Sequence, residues 1–328
     1  MFSVYLQASF KEPGGEVSKM KTERLIKQPK VSIIVVSFNG KEYLQPLIKS
    51  LKEIDYKNFS IIIVDNNSED GSQEILKKMS SIIYIENKKN FGLAEGTNIG
   101  LRKAIEIGSE YLLVMNPDMI VKKDFLEILV EAMKKHPEVV VCGPKINYMQ
   151  PHNKVWCAGC KYRIQGYKPL RQGEIDDKAE KERHIDALDC TLMFRREALK
   201  SLGLLDSKLF IIHELTGWCL KATQAGYKCL YVPDSLVWHK VSASLEAESN
   251  KNEITTYYSI RNWLLLVRDY KNFFYFLWVF LLEATLFATY RFMEYLNWKK
   301  PRLILIYYKA LWHGLTNKTQ KERYDFKK

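Results

Sequence analysis

Val31-Ser-Ile-Ile-Val-Val-Ser-Phe38 is a continuous apolar, largely β-branched run that ends at Asn39-Gly40. Runs of this kind are typical of strands buried on both faces of a parallel sheet. The next segment, Lys41–Ile54, repeats leucine and isoleucine at helical spacing, and three further apolar runs follow it (Ser60–Val64, Ile82–Ile85 and Tyr111–Met115). Strands that alternate with helices form right-handed βαβ units. The sequence therefore predicts an α/β fold with a mostly parallel, doubly wound sheet.

Polar segments follow the strands at their carboxyl ends. Ligands of doubly wound sheets bind in the crevice outside these ends, so we expect the segments to face one binding crevice. The four segments are Ser37–Gly40, Asp65–Gly71, Asn90–Asn98 and Asn116–Asp118.

Three polar residues near strand ends each allow two interpretations. Asp118 either caps a helix or binds a hard divalent cation, which prefers carboxylate and phosphate oxygens. Asp65 either closes a turn or accepts hydrogen bonds from a base or a ribose. His239 is either a structural side chain or a ligand.

The charge of the chain is unevenly distributed. The 328 residues carry a net charge of +12, and 47% are hydrophobic, which is typical of a globular protein and not of a disordered, collagen-like or polytopic membrane protein. A net +8 lies in residues 251–328, which also hold 20 of the 41 aromatic residues. An excess of positive charge favours an anionic partner. We therefore treat the near-neutral first 250 residues and the basic, aromatic remainder separately.

The six cysteines do not form a disulfide framework. They are few and scattered, and Cys157-Ala-Gly-Cys160 has no second pair at zinc-like spacing, so buried thiols are expected. Residues 1–30 contain nine charged side chains and no sustained apolar core. We therefore expect no secretory signal and a cytoplasmic location.

Several motifs resemble those of glycosyltransferase family 2, most closely its rhamnosyltransferase-like branch of inverting enzymes with the GT-A fold. Their order and spacing match over about residues 31–241. This resemblance implies an N-terminal extension (1–30), a GT-A glycosyltransferase domain (31–250) and a C-terminal helical region (251–328). The matching motifs are Val31-Ser-Ile-Ile-Val-Val-Ser-Phe-Asn39, Ile63-Val-Asp-Asn-Asn-Ser-Glu-Asp-Gly71, Asn90-Phe-Gly-Leu-Ala-Glu-Gly-Thr-Asn98 and Met115-Asn-Pro-Asp118.

The resemblance also implies a substrate and a cofactor. The donor would be a UDP- or dTDP-linked sugar, with rhamnose as one candidate, and the acceptor a polysaccharide or a lipid-linked glycan. Asp118 and His239 would bind Mg²⁺ or Mn²⁺ on the diphosphate, whose charge the ion would stabilise as it leaves. Residues expected to bind the nucleotide sugar are Ser37, Asn39, Asp65, Asn67, Gly92, Asn98 and Asn116.

The chain departs from the family where the general base is expected. The usual acidic motif before the last helix corresponds here to His213-Glu-Leu-Thr-Gly-Trp-Cys219, so Leu215 and Gly217 replace two acids. Glu214 is then the candidate base, although it could only cap its helix. Asp189 also stands where the family usually has glycine. The alternative is a catalytically impaired member that binds nucleotide sugar without efficient turnover.

The C-terminal region contains a long apolar segment. Asn272–Tyr290 has one acid, Glu283, near its middle, which disfavours a lone transmembrane helix. Basic residues interspersed with Trp and Tyr favour helices at an anionic lipid surface, on the inner face of the cell membrane. A helical lid, an oligomer surface and a true span are the alternatives. Nucleic acid is disfavoured because the basic residues flank an apolar run, and a Rossmann dehydrogenase because no GxGxxG follows the first strand.

Overall fold

A computed structural model describes residues 28–241, 250–297 and 299–318. The expectation that no secretory signal is present concerns residues that lie almost entirely outside these ranges. Within them, the chain forms one large mixed sheet covered by helices, followed by a group of C-terminal helices.

The first half of the sheet is parallel, as predicted. Strand β1 pairs in parallel with β2 and β4, and β2 pairs in parallel with β3. These strands alternate with the first three helices. The bounds are β1 Val31–Ser37, α1 Lys41–Lys52, β2 Phe59–Asp65, α2 Ser72–Leu76, β3 Ile83–Glu86, α3 Gly92–Glu106 and β4 Tyr111–Met115.

The apolar run that begins the sequence analysis forms the centre of this sheet. Every residue of β1 is buried, because neighbouring strands flank it and helices cover it. Helix α3 lies close to β1 at Gly100, where an added Cβ would stand 2.3 Å from the Ile34 side chain. This close packing positions the beginning of α3 at the carboxyl edge of the sheet.

The second half of the chain adds strands of both directions. A helix follows Asp118, and three longer strands come after it in the chain. Several short strands of three or four residues lie between the first and the second of these longer strands. The bounds are β5 Met119–Val121, α4 Phe125–Lys135, β6 Val139–Tyr148, β7 Val155–Cys157, β8 Cys160–Arg163, β9 Gly166–Pro169, β10 Arg183–Ile185, β11 Thr191–Arg195, α5 Arg196–Leu202, α6 Glu214–Gln224 and β12 Lys228–His239.

The main path through the sheet runs β10-β12-β6-β11-β4-β1-β2-β3. Strand β11 is antiparallel to both β4 and β6, whereas β12 is parallel to β6. The predicted mostly parallel, doubly wound sheet is therefore confirmed, with β11 inserted in the opposite direction. All six cysteines are free and buried, as expected.

The C-terminal helices pack against the sheet domain and against each other. Leu265 and Leu266 of the first of them cluster with Leu209 and Leu220. The last helix approaches so closely that an added Cβ at Gly314 would stand 2.8 Å from Leu264. The bounds are α7 Lys251–Tyr270, α8 Phe273–Leu282, a π-helical turn Glu283–Phe287, α9 Ala288–Asn297 and α10 Arg302–Leu315.

Candidate active site

A cavity of roughly 340 Å³ lies at the carboxyl ends of the parallel strands. Each of the four polar segments contributes to its wall, through Phe38, Asn66, Asn90 and Asn116 with Asp118. The predicted common crevice is therefore confirmed. Its opposite wall comes from the segment before α6 and from α7.

Asp118 and His239 form a buried pair in this cavity. Asp118 follows β4, and His239 ends β12 opposite Met119 of β5. The His239 Nε2 atom lies 3.1 Å from Asp118 Oδ1, and both residues are about 4% exposed or less. Asn116 Nδ2 lies 3.5 Å from the same His239 nitrogen. The pair thus joins the two halves of the sheet at the cavity.

The side-chain atoms of this pair that have no hydrogen-bond partner are suited to binding a divalent cation. Asp118 Oδ2 and His239 Nδ1 are buried and have no hydrogen-bond partner in the structure. A buried carboxylate oxygen without a partner is costly, and a hard cation would satisfy it. Within the described residues no cluster of three His, Cys, Asp or Glu side chains is present. A cation here would therefore take its other ligands from a bound phosphate and from water.

Ser37 and Asp65 lie beneath the cavity wall. They are the last residues of β1 and β2 and are partners in the sheet register. The Asp65 carboxylate accepts hydrogen bonds from Ser68 and from Gln73, so it closes the turn after β2. Ser37 Oγ is buried without a partner, 3.0 Å from where a Cβ of Gly40 would stand.

Asn39 and Asn67 shape the loops above these two strands. The Asn39 backbone N–H donates to Ser68 Oγ at 2.9 Å, and its side-chain oxygen accepts from Glu69 at 2.8 Å. Asn67 has a positive φ of 65°. The residue of this loop that lines the cavity is Asn66, which sequence reasoning missed, and its amide donates to the Gly92 carbonyl oxygen and accepts from Asn87. Successive side chains alternate sides at a strand end, and this parity would have identified it.

Gly92 and Asn98 have different roles. Gly92 has a φ of +81°, and an added Cβ would stand 2.6 Å from Phe210, so glycine allows Phe210 to close the cavity wall. The Asn98 side chain instead bonds the backbone of Leu205, accepting at 3.0 Å and donating at 2.9 Å. Asn98 does not line the cavity, and it fixes the segment that leads to Phe210.

Glu214 and Asp189 bring two carboxyl groups to the cavity. Glu214 is 4% exposed, and its Oε2 atom has no hydrogen-bond partner in the structure. Burial, reinforced by the nearby Asp189 carboxyl, raises the pKa of Glu214 to about 8. The pKa of Asp189 is also raised by burial, although its backbone neighbour Cys190 donates to it at 2.9 Å. Burial thus moves the pKa of Glu214 from its ordinary value toward neutral pH.

Packing explains the two missing acids of the family motif. Leu215 is 3% exposed and belongs to the main core cluster while it lines the cavity. A Cβ on Gly217 would stand 2.9 Å from the Leu266 side chain of α7. An acidic side chain at position 217 would therefore require the Leu266 side chain of α7 to shift.

The segment before Glu214 is strained and held by α7. Phe210, Ile212 and His213 have φ values of 60°, 68° and 69°, a region that costs non-glycine residues roughly 1–3 kcal/mol each. The Asn262 amide donates at 2.6–2.8 Å to three carbonyl oxygens of this segment (Leu209, Ile211 and Ile212). Asn262 was missed because nothing in its own helix distinguishes it from a surface amide.

The raised pKa of Glu214 predicts a pH-dependent stability. Between about pH 4.5 and pH 8 the folded chain retains a proton that the unfolded chain has released, so stability falls as pH rises, by at most about 1.4 kcal/mol per pH unit. Glu214→Gln removes this slope. Urea unfolding at several pH values measures it, with Glu69→Gln as an exposed control. Parallel stability curves for the wild type and Glu214→Gln would contradict the assignment.

Comparison with curated proteins identifies bacterial relatives. The chain is 24% identical over 242 residues to the dTDP-rhamnosyl transferase RfbF of Shigella flexneri, which covers 72% of this chain and 79% of that protein. It is 31% identical over 119 residues to an uncharacterized glycosyltransferase of Haemophilus influenzae, over 35% of this chain and 36% of that one.

Solved structures share the fold. GalNAc-T7 with UDP, GalNAc and Mn²⁺ superposes with a TM-score of 0.55 and 20% identity, over 64% of this chain but only 43% of that one. The mannosyltransferase PcManGT from Pyrobaculum calidifontis, in complex with GDP-Man and Mn²⁺, superposes with a TM-score of 0.51 and 16% identity, over 92% and 95%. The expected GT-A fold is therefore confirmed.

A match to a protein-family model shows the family of this chain. The model described as Glycosyl transferase family 2 matches residues 32–203, slightly over half of the chain. The motifs that form the cavity, from β1 through Asp118, lie inside this range. The chain belongs to glycosyltransferase family 2.

Proposed function

We propose that this glycosyltransferase moves a sugar, with inversion, from a nucleotide diphosphate sugar to a hydroxyl group of a glycan or lipid-linked acceptor. The observation that carries the proposal is the unpartnered Asp118 Oδ2 in the same cavity as the Glu214 carboxyl group. Asp118 is suited to holding a cation beside the leaving diphosphate, and Glu214 is suited to accepting the proton of the attacking hydroxyl.

The donor binds at the strand ends in this proposal. Asn116 lines the cavity there, and Asn66 with the Gly92 turn, which leaves room for Phe210, forms the wall beside it. The relative RfbF is named a dTDP-rhamnosyl transferase, which makes dTDP-rhamnose the first donor to test. UDP and GDP-Man were found with the two structural relatives, so UDP- and GDP-sugars form the comparison set.

Asp118 and His239 hold Mg²⁺ or Mn²⁺ in this proposal. A bound cation supplies charge neutralisation for the departing diphosphate. The presence of Mn²⁺ in both solved relatives supports Mn²⁺ as the ion to test. The Asp118 carboxylate is oriented for this task by the hydrogen bond to His239.

Glu214 serves as the general base. The acceptor oxygen forms a bond to the anomeric carbon while the bond from that carbon to the diphosphate oxygen breaks, and the hydroxyl proton passes to Glu214. General-base catalysis contributes about 10²–10⁴-fold to the rate. Leu215 takes no part in the proton transfer and forms an apolar wall beside Glu214.

Two isosteric variants separate donor binding from proton transfer. We expect Asp118→Asn to lose Mn²⁺-dependent binding of the donor, because the amide removes the anionic ligand. Glu214→Gln should bind the donor normally and release diphosphate about 10²–10⁴-fold more slowly. In the wild type, kcat/KM should rise with pH up to about 8, the pKa of Glu214.

Calorimetry with Mn²⁺ and each donor measures binding, and a coupled assay of diphosphate release measures transfer. Unchanged donor binding in Asp118→Asn would contradict the cation site. Wild-type binding of every donor without release, in the presence of glycan and lipid-linked acceptors, would contradict catalysis. Equal rates for Glu214→Gln and the wild type would contradict the assigned base.

The α7 clamp gives a further prediction. Asn262→Ala leaves three carbonyl groups of the strained segment without their donor, at a cost of about 1–3 kcal/mol for each buried group. We expect kcat to fall at least about tenfold, because Glu214 follows this segment directly. The dissociation constant of the donor should not change, because the strand ends supply its contacts.

Asn272→Ala is the matched control for this variant. The Asn272 side chain caps α8 by accepting from Tyr275 N–H at 2.8 Å, and its loss costs about 1 kcal/mol of stability. A similar fall in kcat for both variants would show that Asn262 only stabilises the fold. Equal stability loss with a fall in kcat for Asn262→Ala alone, with that variant still folded at the assay temperature, supports a positioning role.

A further inference from the structure

The helical run Phe273–Asn297 exposes an apolar side. It comprises 25 residues and, among the described residues, is long and apolar enough to span a membrane. Most of its surface is not covered by the protein, and Phe274 is 80% exposed. We call this exposed side the outer face. It includes Phe273, Phe274, Trp278, Leu281, Leu286 and Met293.

No charged side chain of this run is fully exposed on the outer face. Glu283 is turned into the protein, where the Tyr307 hydroxyl donates to its carboxylate at 2.9 Å. Arg291 pairs with Glu294 at 2.6 Å, and both are partly buried. The acid that disfavoured a lone transmembrane helix in the sequence therefore does not face outward.

The two threonines of the outer face are also satisfied within the helix. Thr285 donates to the Leu281 carbonyl oxygen at 2.7 Å, and Thr289 donates to the Thr285 carbonyl oxygen at 2.9 Å. Their hydroxyl donors are therefore not directed toward an external partner. The outer face offers contact area and few directional hydrogen bonds.

The π-helical turn keeps the two sides of the run separate. The buried positions Phe276, Val279 and Glu283 follow helical spacing, and the next buried position, Ala288, comes five residues later. The wider turn at Glu283–Phe287 absorbs the extra residue. As a result Glu283 stays inside, and the apolar residues before and after it stay outside.

Helix α10 and the turn before it add to this surface. Leu305, 73% exposed, and Trp312, 61% exposed, are uncovered on α10, which contacts α9. Lys299 and Lys300 are exposed in the connecting turn. Aromatic residues with neighbouring lysines are typical of surfaces that lie in the headgroup region of an anionic bilayer.

We propose that the outer face, together with the exposed side of α10, docks onto the surface of an anionic lipid bilayer. Large exposed apolar patches are rare on soluble monomers. A protein partner would also be recognised through hydrogen bonds and ion pairs, of which the outer face offers few. The run does not cross the bilayer, because its inner side with Glu283 is packed against the rest of the protein.

Co-sedimentation of the full chain with vesicles tests the proposal without reference to catalysis. We expect binding to phosphatidylcholine vesicles that contain phosphatidylglycerol, and weaker binding to phosphatidylcholine alone. Phe274→Asp and Trp278→Asp should each reduce binding about tenfold or more, because each replaces exposed apolar area with a negative charge. Ile175→Asp, at a 53% exposed apolar residue of the sheet domain, should bind like the wild type.

A site-specific probe identifies the surface that touches lipid. All six cysteines are buried, so a cysteine introduced at Phe274 can be labelled selectively with an environment-sensitive fluorophore. We expect a blue shift on adding anionic vesicles for the Phe274→Cys label and none for an Ile175→Cys label. Sedimentation velocity without lipid checks for self-association.

Three results would overturn the proposal. The first is that the wild-type chain does not bind vesicles. The second is that Phe274→Asp binds vesicles as well as the wild type does, when circular dichroism shows that both proteins are folded. The third is a blue shift that accompanies dimer formation in the absence of lipid. Equal binding to neutral and anionic vesicles would overturn the choice of an anionic surface.

Discussion

The structure depends on the burial of the Asp118 carboxylate beside His239. An ionised carboxylate can be buried only with partners, and here one oxygen has His239 while the other is directed to the cavity without one. The pair joins the end of β4 to the end of β12, so the two halves of the sheet meet at this point. The position of the cavity follows from this contact, because the strand ends that line it are fixed by the same sheet.

A second constraint comes from helix α7, which is not a simple extension of the catalytic domain. Its Asn262 holds the strained segment before Glu214, and its Leu266 packs closely against Gly217. The altered acidic motif is therefore consistent with the packing around it. The same helix group carries the apolar outer face. The proposed base and the proposed membrane contact thus depend on one packed set of helices.

The local sequence pattern predicted the fold and the location of the site. It failed for side chains whose positions depend on tertiary contacts. The buried run Val31–Phe38 could only be a central strand. In contrast, Asn66 rather than Asn67 reaches the cavity because β2 extends through Asp65. Asn98 belongs to one of the four polar segments at the strand ends. Its side chain nevertheless accepts a hydrogen bond from the backbone of Leu205, more than a hundred residues away. Glu283 and Ala288 both face inward because a π-helical turn places them five residues apart, a spacing that regular α-helical periodicity does not predict.

A crystal structure of the protein with a nucleoside diphosphate and Mn²⁺ tests the central claim most directly. We predict that the ion binds Asp118 Oδ2 and His239, that the diphosphate completes its coordination, and that Glu214 remains open to the same cavity. An ion bound by other residues, or a diphosphate bound away from the ends of β1, β2 and β4, would contradict the account.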